Sequence, residues 1–325
     1  MYYLGIDVSK DKFDIALIKE YEQQETPKRK ALSNNKDGFA KLLVWLSRRT
    51  DGEVHACMEA TGRYYEDLAA FLVESGIKTS VVNPTFIANH AKSSAVRNKT
   101  DSVDALLIAD FCRSKHPRTW TPPSPEVKEL RELVRRLSAL EQAKQDEQNR
   151  LSSGVSSKSV AKSINKSVKF LSQQIEEISN LIEHHIDSHP GLREDRDLLI
   201  TIPGIGEKTA AILLAELPSA QNFDNAKQAS AYAGLSPREH RSGSSIRGKT
   251  RLCKIGSSRL RRALYFPAIT AVMHNPLVKD LYQRLRAAGK SKMCAIGAAM
   301  RKLLHIVFGV LRTRRPFDPL VQSRA

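Results

Sequence analysis

The sequence predicts an α/β domain built on a mixed sheet, followed by a longer, mainly helical remainder. Three observations carry that expectation. Four short runs, residues 2–8, 12–18, 54–60 and 78–82, have the length and apolar content of strands. Segments with helical periodicity separate the later ones. Beyond the breaks at Pro117, Pro122, Pro123 and Pro125, every periodic segment reads as helix.

Taken in order, residues 2–8 and 12–18 form two strands joined by the polar turn Ser9-Lys10-Asp11-Lys12, with Phe13, Ile15 and Leu17 at a period of two. A third, more polar strand is expected near 26–33. A helix follows from Asp37 to Arg48, with Phe39, Leu42, Leu43, Trp45 and Leu46 on its apolar face. Val54–Ala60 is the next strand, residues 63–75 a helix that stops at Gly76, and Lys78–Val82 a strand closed by Asn83-Pro84. Two helical segments come next, Asp101–Ser114 the clearer. Three strands, helix, strand, helix, strand, helices is the ribonuclease H-like order.

After the prolines, Glu126–Arg150 carries a seam of Val127, Leu130, Val134, Leu137 and Leu140. Ser152–Ser159 is a polar turn. Val160, Ile164, Val168, Leu171, Ile175, Ile178 and Ile182 then step by four and three, a coiled-coil seam. The two helices make an antiparallel hairpin, either packed on its own chain alone or also pairing with another subunit. From about Gly191 the chain reads as helices near 198–217, 228–234, 259–272, 276–287 and 293–312, around a Ser/Gly/Arg/Lys loop at 241–258. The expected domains are 1–122, 123–190 and 191–325.

Charge is unevenly placed. The net charge is +17, and residues 241–325 alone hold 19 Lys and Arg against Asp280 and Asp318, while the other 240 residues carry 33 of each sign. So concentrated an excess predicts a polyanion partner and a steep salt dependence. Cys57, Cys112, Cys253 and Cys294 are scattered, with no Cys-x-x-Cys pair, which argues against a disulfide framework or zinc site and fits a reducing cytosol. No secretory signal is visible at the start, and no membrane-spanning run of about 18 apolar residues is seen.

Four acids are the strongest chemical signal. Asp7 and Glu59 end apolar strands, and Asp101 and Asp104 share one face at the start of a helix. Acids at such positions repel one another unless cations lie between them, and two divalent ions about 4 Å apart answer that need. Ion pairing with Lys10, Arg97 or Lys99 is the alternative. A second motif, Ile202-Pro203-Gly204-Ile205-Gly206-Glu207-Lys208-Thr209, reads as a helix-hairpin-helix turn in which Gly204, Gly206 and Lys208 present N–H groups and charge to a phosphate, or else as a turn used only for packing. The third is Arg241-Ser242-Gly243-Ser244-Ser245-Ile246-Arg247-Gly248-Lys249. Its spacing suits a phosphate cradle more than a nucleophile. Arg251, Lys254, Arg259, Arg261 and Arg262 extend the basic surface. His184, His185 and His189 read as structural or solvent-facing, and Trp45 and Trp120 as packing residues.

These motifs, with Ala233-Gly234-Leu235-Ser236-Pro237-Arg238, resemble in order and spacing the DEDD-type insertion-sequence transposases, the family of bridge-RNA-guided DNA recombinases. The resemblance covers nearly the whole chain. It implies a RuvC-like first domain, a coiled-coil segment and a transposase domain. It implies that Asp7, Glu59, Asp101 and Asp104 bind Mg²⁺ or Mn²⁺, and it carries the nucleophile onto Ser242, reversing the reading from spacing. The implied partners are target and donor DNA and a structured guide RNA. A homo-oligomer, dimer or tetramer, working at the nucleoid in the bacterial cytoplasm is expected, with no membrane partner. The expected reaction is strand exchange through a phosphoserine; a junction-resolving endonuclease using metal-activated water is the alternative.

Overall fold

The computed structural model describes residues 1–20, 27–93, 101–238, 241–242, 246–247 and 251–322; the side chains of 101, 102, 241, 242, 246, 247, 321 and 322 lie outside that description. The chain divides into two units, Met1–Pro122 and Pro123–Ala325.

The first unit runs β1 (Tyr2–Val8), β2 (Lys12–Lys19), β3 (Lys28–Ser33), α1 (Lys36–Ser47), β4 (Val54–Glu59), α2 (Glu66–Glu74), β5 (Lys78–Val82), α3 (Pro84–Ser93) and α4 (Asp101–Lys115). Its sheet has the order β3-β2-β1-β4-β5. β1, β2 and β3 pair antiparallel, while β1, β4 and β5 pair parallel, so the sheet is mixed as expected. Helices cover both faces, and this is why β1 reads as an unbroken apolar run rather than an alternating one. On one face Leu4, Ile6, Phe13, Ile15 and Met58 pack with Phe39, Leu42, Trp45 and Leu46 of α1 and Leu68 and Leu72 of α2. On the other, Tyr3 and Cys57 pack with Ile87 of α3 and Ile108, Phe111 and Cys112 of α4. Each such side chain contributes about 1.5–3 kcal/mol on burial. Asn35 starts α1 by accepting from Gly38 N–H at 2.9 Å.

The second unit comprises α5 (Pro125–Ser152), α6 (Lys158–Ser188), α7 (Pro190–Ile200), α8 (Glu207–Glu216), a short 3₁₀ turn at Ala220–Asn222, α9 (Ala226–Tyr232), β6 (Pro237–Arg238), β7 (Arg241–Ser242), β8 (Ile246–Arg247), β9 (Arg251–Leu252), α10 (Ser258–His274), α11 (Pro276–Ala287), α12 (Lys292–Thr313) and α13 (Pro319–Gln322). Helices α5 and α6 form an antiparallel hairpin: His185 near the end of α6 places Nε2 2.8 Å from the Glu126 carbonyl at the start of α5. The hairpin's base shares one core with the remaining helices, since Leu130, Val134, Ile182 and Ile186 cluster with Leu199, Leu213, Leu264 and Leu303. Helix α12 is long and apolar enough to cross a bilayer, yet Ile296, Met300, Leu303, Leu304 and Val307 are buried in that core, and its composition is that of a central helix. The stretch 241–258, expected as loop, carries short strand rungs instead. Pairs of two residues have no periodicity to betray them.

Candidate functional site

The first cluster is built by strand register. β1 and β4 run parallel with Ile6 opposite Met58, so Asp7 and Glu59 follow side by side at the carboxyl ends of neighbouring strands. In α/β sheets that end is where ligands bind. Side chains alternate along a strand. Ile6 and Met58 point into the α1–α2 core, which sends Asp7 and Glu59 to the opposite face with Tyr3 and Cys57, the face that α4 covers. Both acids are half-buried. The Thr61 hydroxyl donates to Glu59 Oε2 at 3.4 Å.

Helix α4 is set against β1 by Gly5. A Cβ on Gly5 would lie 2.0 Å from the Ala105 carbonyl oxygen and 2.3 Å from Ala109 N, so only glycine allows the helix this close. Farther along, Cys112 Sγ lies 3.7 Å from the His55 carbonyl, near the opposite end of the sheet. Helix α4 therefore runs antiparallel to β1, and its first turn lies toward the end carrying Asp7. Asp104, next to Ala105, is brought to the Asp7–Glu59 edge. Asp101 stands one turn earlier as the first residue of α4, its side chain outside the described set. Among the described residues no three His, Cys, Asp or Glu side chains are grouped so that they could hold a metal ion. What the fold supplies is two carboxylates, Asp7 and Glu59, side by side on one face, with the first turn of α4 running toward the same edge; carboxylate oxygens are the donors that hard divalent cations take.

One contributor escaped the sequence reading. Asn34 donates through Nδ2 to the carbonyls of Ser9 at 2.9 Å and Tyr64 at 3.1 Å. It thereby ties the turn after β1 to the loop after β4, the two segments that leave Asp7 and Glu59. No motif marks it; it stands in Ser33-Asn34-Asn35 between β3 and α1.

In the second unit, Ile202 and Ile205 bury the turn between α7 and α8. Gly204 has φ of +105°, and a Cβ there would lie 2.8 Å from the Pro267 carbonyl oxygen and 2.9 Å from Ala271 Cβ of α10. Gly204 is thus a packing glycine. Gly206 is exposed and caps α8 without a side-chain hydrogen bond. The ammonium of Lys208 pairs with Glu141 of α5.

The serine lies on a β-arm. Pro237 and Arg238 pair with Leu252 and Arg251, and farther out Arg241 and Ser242 pair with Arg247 and Ile246. Ser242 is on the outermost described rung; its side chain and those of Arg241 and Arg247 are outside the described set, as is Lys249 entirely. The arm's base is fixed. Leu252 Cδ1 would meet a Cβ on Gly297 of α12 at 3.4 Å. Arg261 Nη1 donates to the Ala233 and Gly256 carbonyls, each at 3.0 Å, joining the two stretches that lead into and out of the arm. Burial lowers the pKa of Arg261 from its ordinary value, and the group stays charged. Arg261, expected to face nucleic acid, is therefore turned to the protein's own backbone. Arg251, Lys254, Arg259 and Arg262 are exposed.

The chain is similar to known transposases. A DEDD family model described as Transposase matches residues 4–157, and a second, described as Transposase IS116/IS110/IS902 family, matches residues 196–283. The pilin gene-inverting proteins of Moraxella bovis and Moraxella lacunata are each 34% identical over 324 residues, covering 99% of either chain. The transposase for insertion sequence element IS1328 of Yersinia enterocolitica is 24% identical over 293 residues, 80% of this chain and 81% of that one.

Proposed function

We infer the mechanism from one premise: the chain belongs to the IS110 family of transposases, enzymes that cleave and rejoin DNA. We propose that it exchanges strands through Ser242. The serine oxygen attacks the scissile phosphorus, an Oγ–P bond forms, the strand's P–O bond breaks, and the serine proton ends on the departing strand oxygen. Rejoining is the reverse attack by the hydroxyl of another strand. A relative named for inverting a pilin gene supports this choice, because inversion conserves every phosphodiester and a phosphoserine stores the bond energy.

The observation that supports the reading is the pairing of Asp7 and Glu59 at the carboxyl ends of β1 and β4, the edge toward which the first turn of α4, with Asp101 and Asp104, runs. Held there, Mg²⁺ or Mn²⁺ would offset charge on the scissile phosphate. The four carboxylates position it, and Asn34 keeps the two loops behind them together. Residues 1–122 then act as a RuvC-like metal-binding domain, 123–190 as a coiled-coil hairpin and 191–325 as the transposase domain. In that domain the turn at Gly204–Lys208 serves as a helix-hairpin-helix, with Gly206 N–H near a phosphate and Lys208 released from Glu141 to reach it. Arg241, Arg247, Lys249, Arg251, Lys254, Arg259 and Arg262 line the path of DNA and of a guiding bridge RNA. The protein works as a homo-oligomer.

A stalled reaction run on denaturing gels tests this. A DNA–protein adduct is expected for wild type and absent for Ser242→Ala. Mixing Ser242→Ala with Asp7→Asn protein should restore activity if different chains can supply the serine and the acids. Wild-type cleavage by Ser242→Ala would replace this reading with hydrolysis by activated water.

A further inference from the structure

Helix α10 buries Leu260, Leu264, Ala268 and Ala271 and leaves the opposite side to solvent. On that side Arg259, Arg262, Phe266, Thr270 and Met273 follow one another at steps of three and four. Phe266 is 73% exposed, the most exposed aromatic side chain among the described residues, and its ring meets Tyr265 edge-on at 5.3 Å. A single exposed phenylalanine is ordinary. This one lies one turn beyond Arg262 and two beyond Arg259, about 10 Å along the axis.

Arg259 is braced. Its Nε is 3.7 Å from Oε1 of Glu216, a buried carboxylate at the end of α8 that also receives Arg135 of α5 at 2.7 and 3.1 Å. One buried negative charge thus holds two arginines from two helices at the surface, and the side chain of Arg259 remains 54% exposed. The cluster keeps a positive excess that Arg262 enlarges. Charge selects a polyanion for this face, and the bare ring selects one whose base faces are open. Duplex DNA hides its base faces, whereas an unpaired strand presents them for stacking while its phosphates meet arginines.

We propose that the exposed face of α10 binds an unpaired DNA segment, with phosphates on Arg259 and Arg262 and a base stacked on Phe266. The inference rests on the reading of the chain as a DNA strand-exchanging enzyme. Exchange must open base pairs beside the cut, and the opened strand needs a holder that ignores sequence. Stacking on a phenylalanine is sequence-tolerant. Glu216 is a positioning residue in this arrangement, acting through Arg259.

Fluorescence anisotropy of the full-length protein with a labelled oligonucleotide, single-stranded or as a duplex of the same sequence, tests the proposal. Phe266→Ala should weaken single-strand binding about tenfold and duplex binding less than twofold. Phe266→Trp should restore the single-strand affinity. Glu216→Gln should lower single-strand affinity less than Arg259→Gln does. With 2-aminopurine in the single strand, wild type should quench its fluorescence and Phe266→Ala should not. Equal losses on both oligonucleotides, or no loss, would overturn the proposal while leaving the strand-exchange reading intact. So would a larger loss on single-stranded RNA than on DNA, or a Phe266→Ala change in sedimentation coefficient without nucleic acid, which would mark a contact between copies. If wild type bound neither oligonucleotide, the DNA reading itself would fall.

Discussion

Arg261 is one of five basic residues between positions 251 and 262, yet its guanidinium is turned inward onto two carbonyls. Charge-assisted bonds of this kind are each worth about 1.5–3 kcal/mol, and removing the donor strands both acceptors. Arg261→Gln should therefore lower the melting temperature and uncouple the base of the serine arm, while leaving the salt dependence of DNA binding unchanged. Arg262→Gln, on the exposed side of the same helix, should do the reverse. Thermal melts beside binding titrations at several salt concentrations distinguish the two. His305 of α12 gives a pH-dependent case. Burial, helped by Arg301, Lys302 and Lys227, pushes its pKa down to about 4 from 6.5. A depressed histidine pKa favours the neutral ring in the folded state, and Arg301 Nε lies 3.5 Å from its Nε2 as a donor to that ring. The unfolded chain takes up a proton near pH 6.5 that the folded chain resists until about pH 4. The contribution is full above 6.5 and is lost as pH falls toward 4. Urea midpoints at pH 7 and 4.5 should converge on replacing His305 by Gln.

At the scale of elements, the contact between β1 and α4 sets where Asp104 stands relative to Asp7. Gly5→Ala would drive a Cβ into the Ala105 carbonyl, a backbone atom that no rotamer change can move aside. Overpacking of this sort costs about 1–3 kcal/mol or more. The helix must shift to relieve it, taking Asp104 with it. A lower melting temperature together with loss of cleavage is expected; a Gly5→Ala enzyme as active as wild type would show that Asp104 tolerates displacement. The strands 2–8 and 78–82 were legible as short runs bounded by turn residues, and the long helices because helical spacing persists over many residues. Asp101 and Asp104 were legible as a pair because three-residue spacing fixes a shared helix face. The β-arm was not, since rungs of two residues carry no period. Nor was Asn34, whose two acceptors, Ser9 and Tyr64, lie 25 and 30 positions away and meet it only in the folded sheet. The inward turn of Arg261 is partly legible in hindsight: it follows buried Leu260 and precedes buried Leu264 by three, at the margin of the apolar face.

Across the whole molecule, the acids and the bulk of the positive charge lie on different units. Asp7, Glu59, Asp101 and Asp104 are in Met1–Pro122, whereas the 19 basic residues of 241–325 are all in Pro123–Ala325. Affinity for nucleic acid is set mainly by how many phosphates are neutralised, and each contact adds close to one unit to the slope of log affinity against log salt. In the mechanism proposed above, cleavage also needs the carboxylates of the first unit, which add nothing to phosphate neutralisation. The two properties should therefore separate on mutation. Asp7→Asn, Glu59→Gln, Asp101→Asn and Asp104→Asn should each abolish cleavage and leave DNA affinity and its salt slope as in wild type. Removing one of several like charges also relieves repulsion when no cation is present, so these variants should melt no lower than wild type without added metal. Replacing Arg259 and Arg262 by Gln should instead reduce the slope by up to about 2 on duplex DNA and somewhat less on single strands, with the residual cleavage recovering at low salt. Full activity in any two of the acid variants would remove the carboxylates from the mechanism. A changed salt slope in an acid variant would mean that nucleic acid touches the first unit directly, and the division of labour drawn from the charge distribution would have to be abandoned.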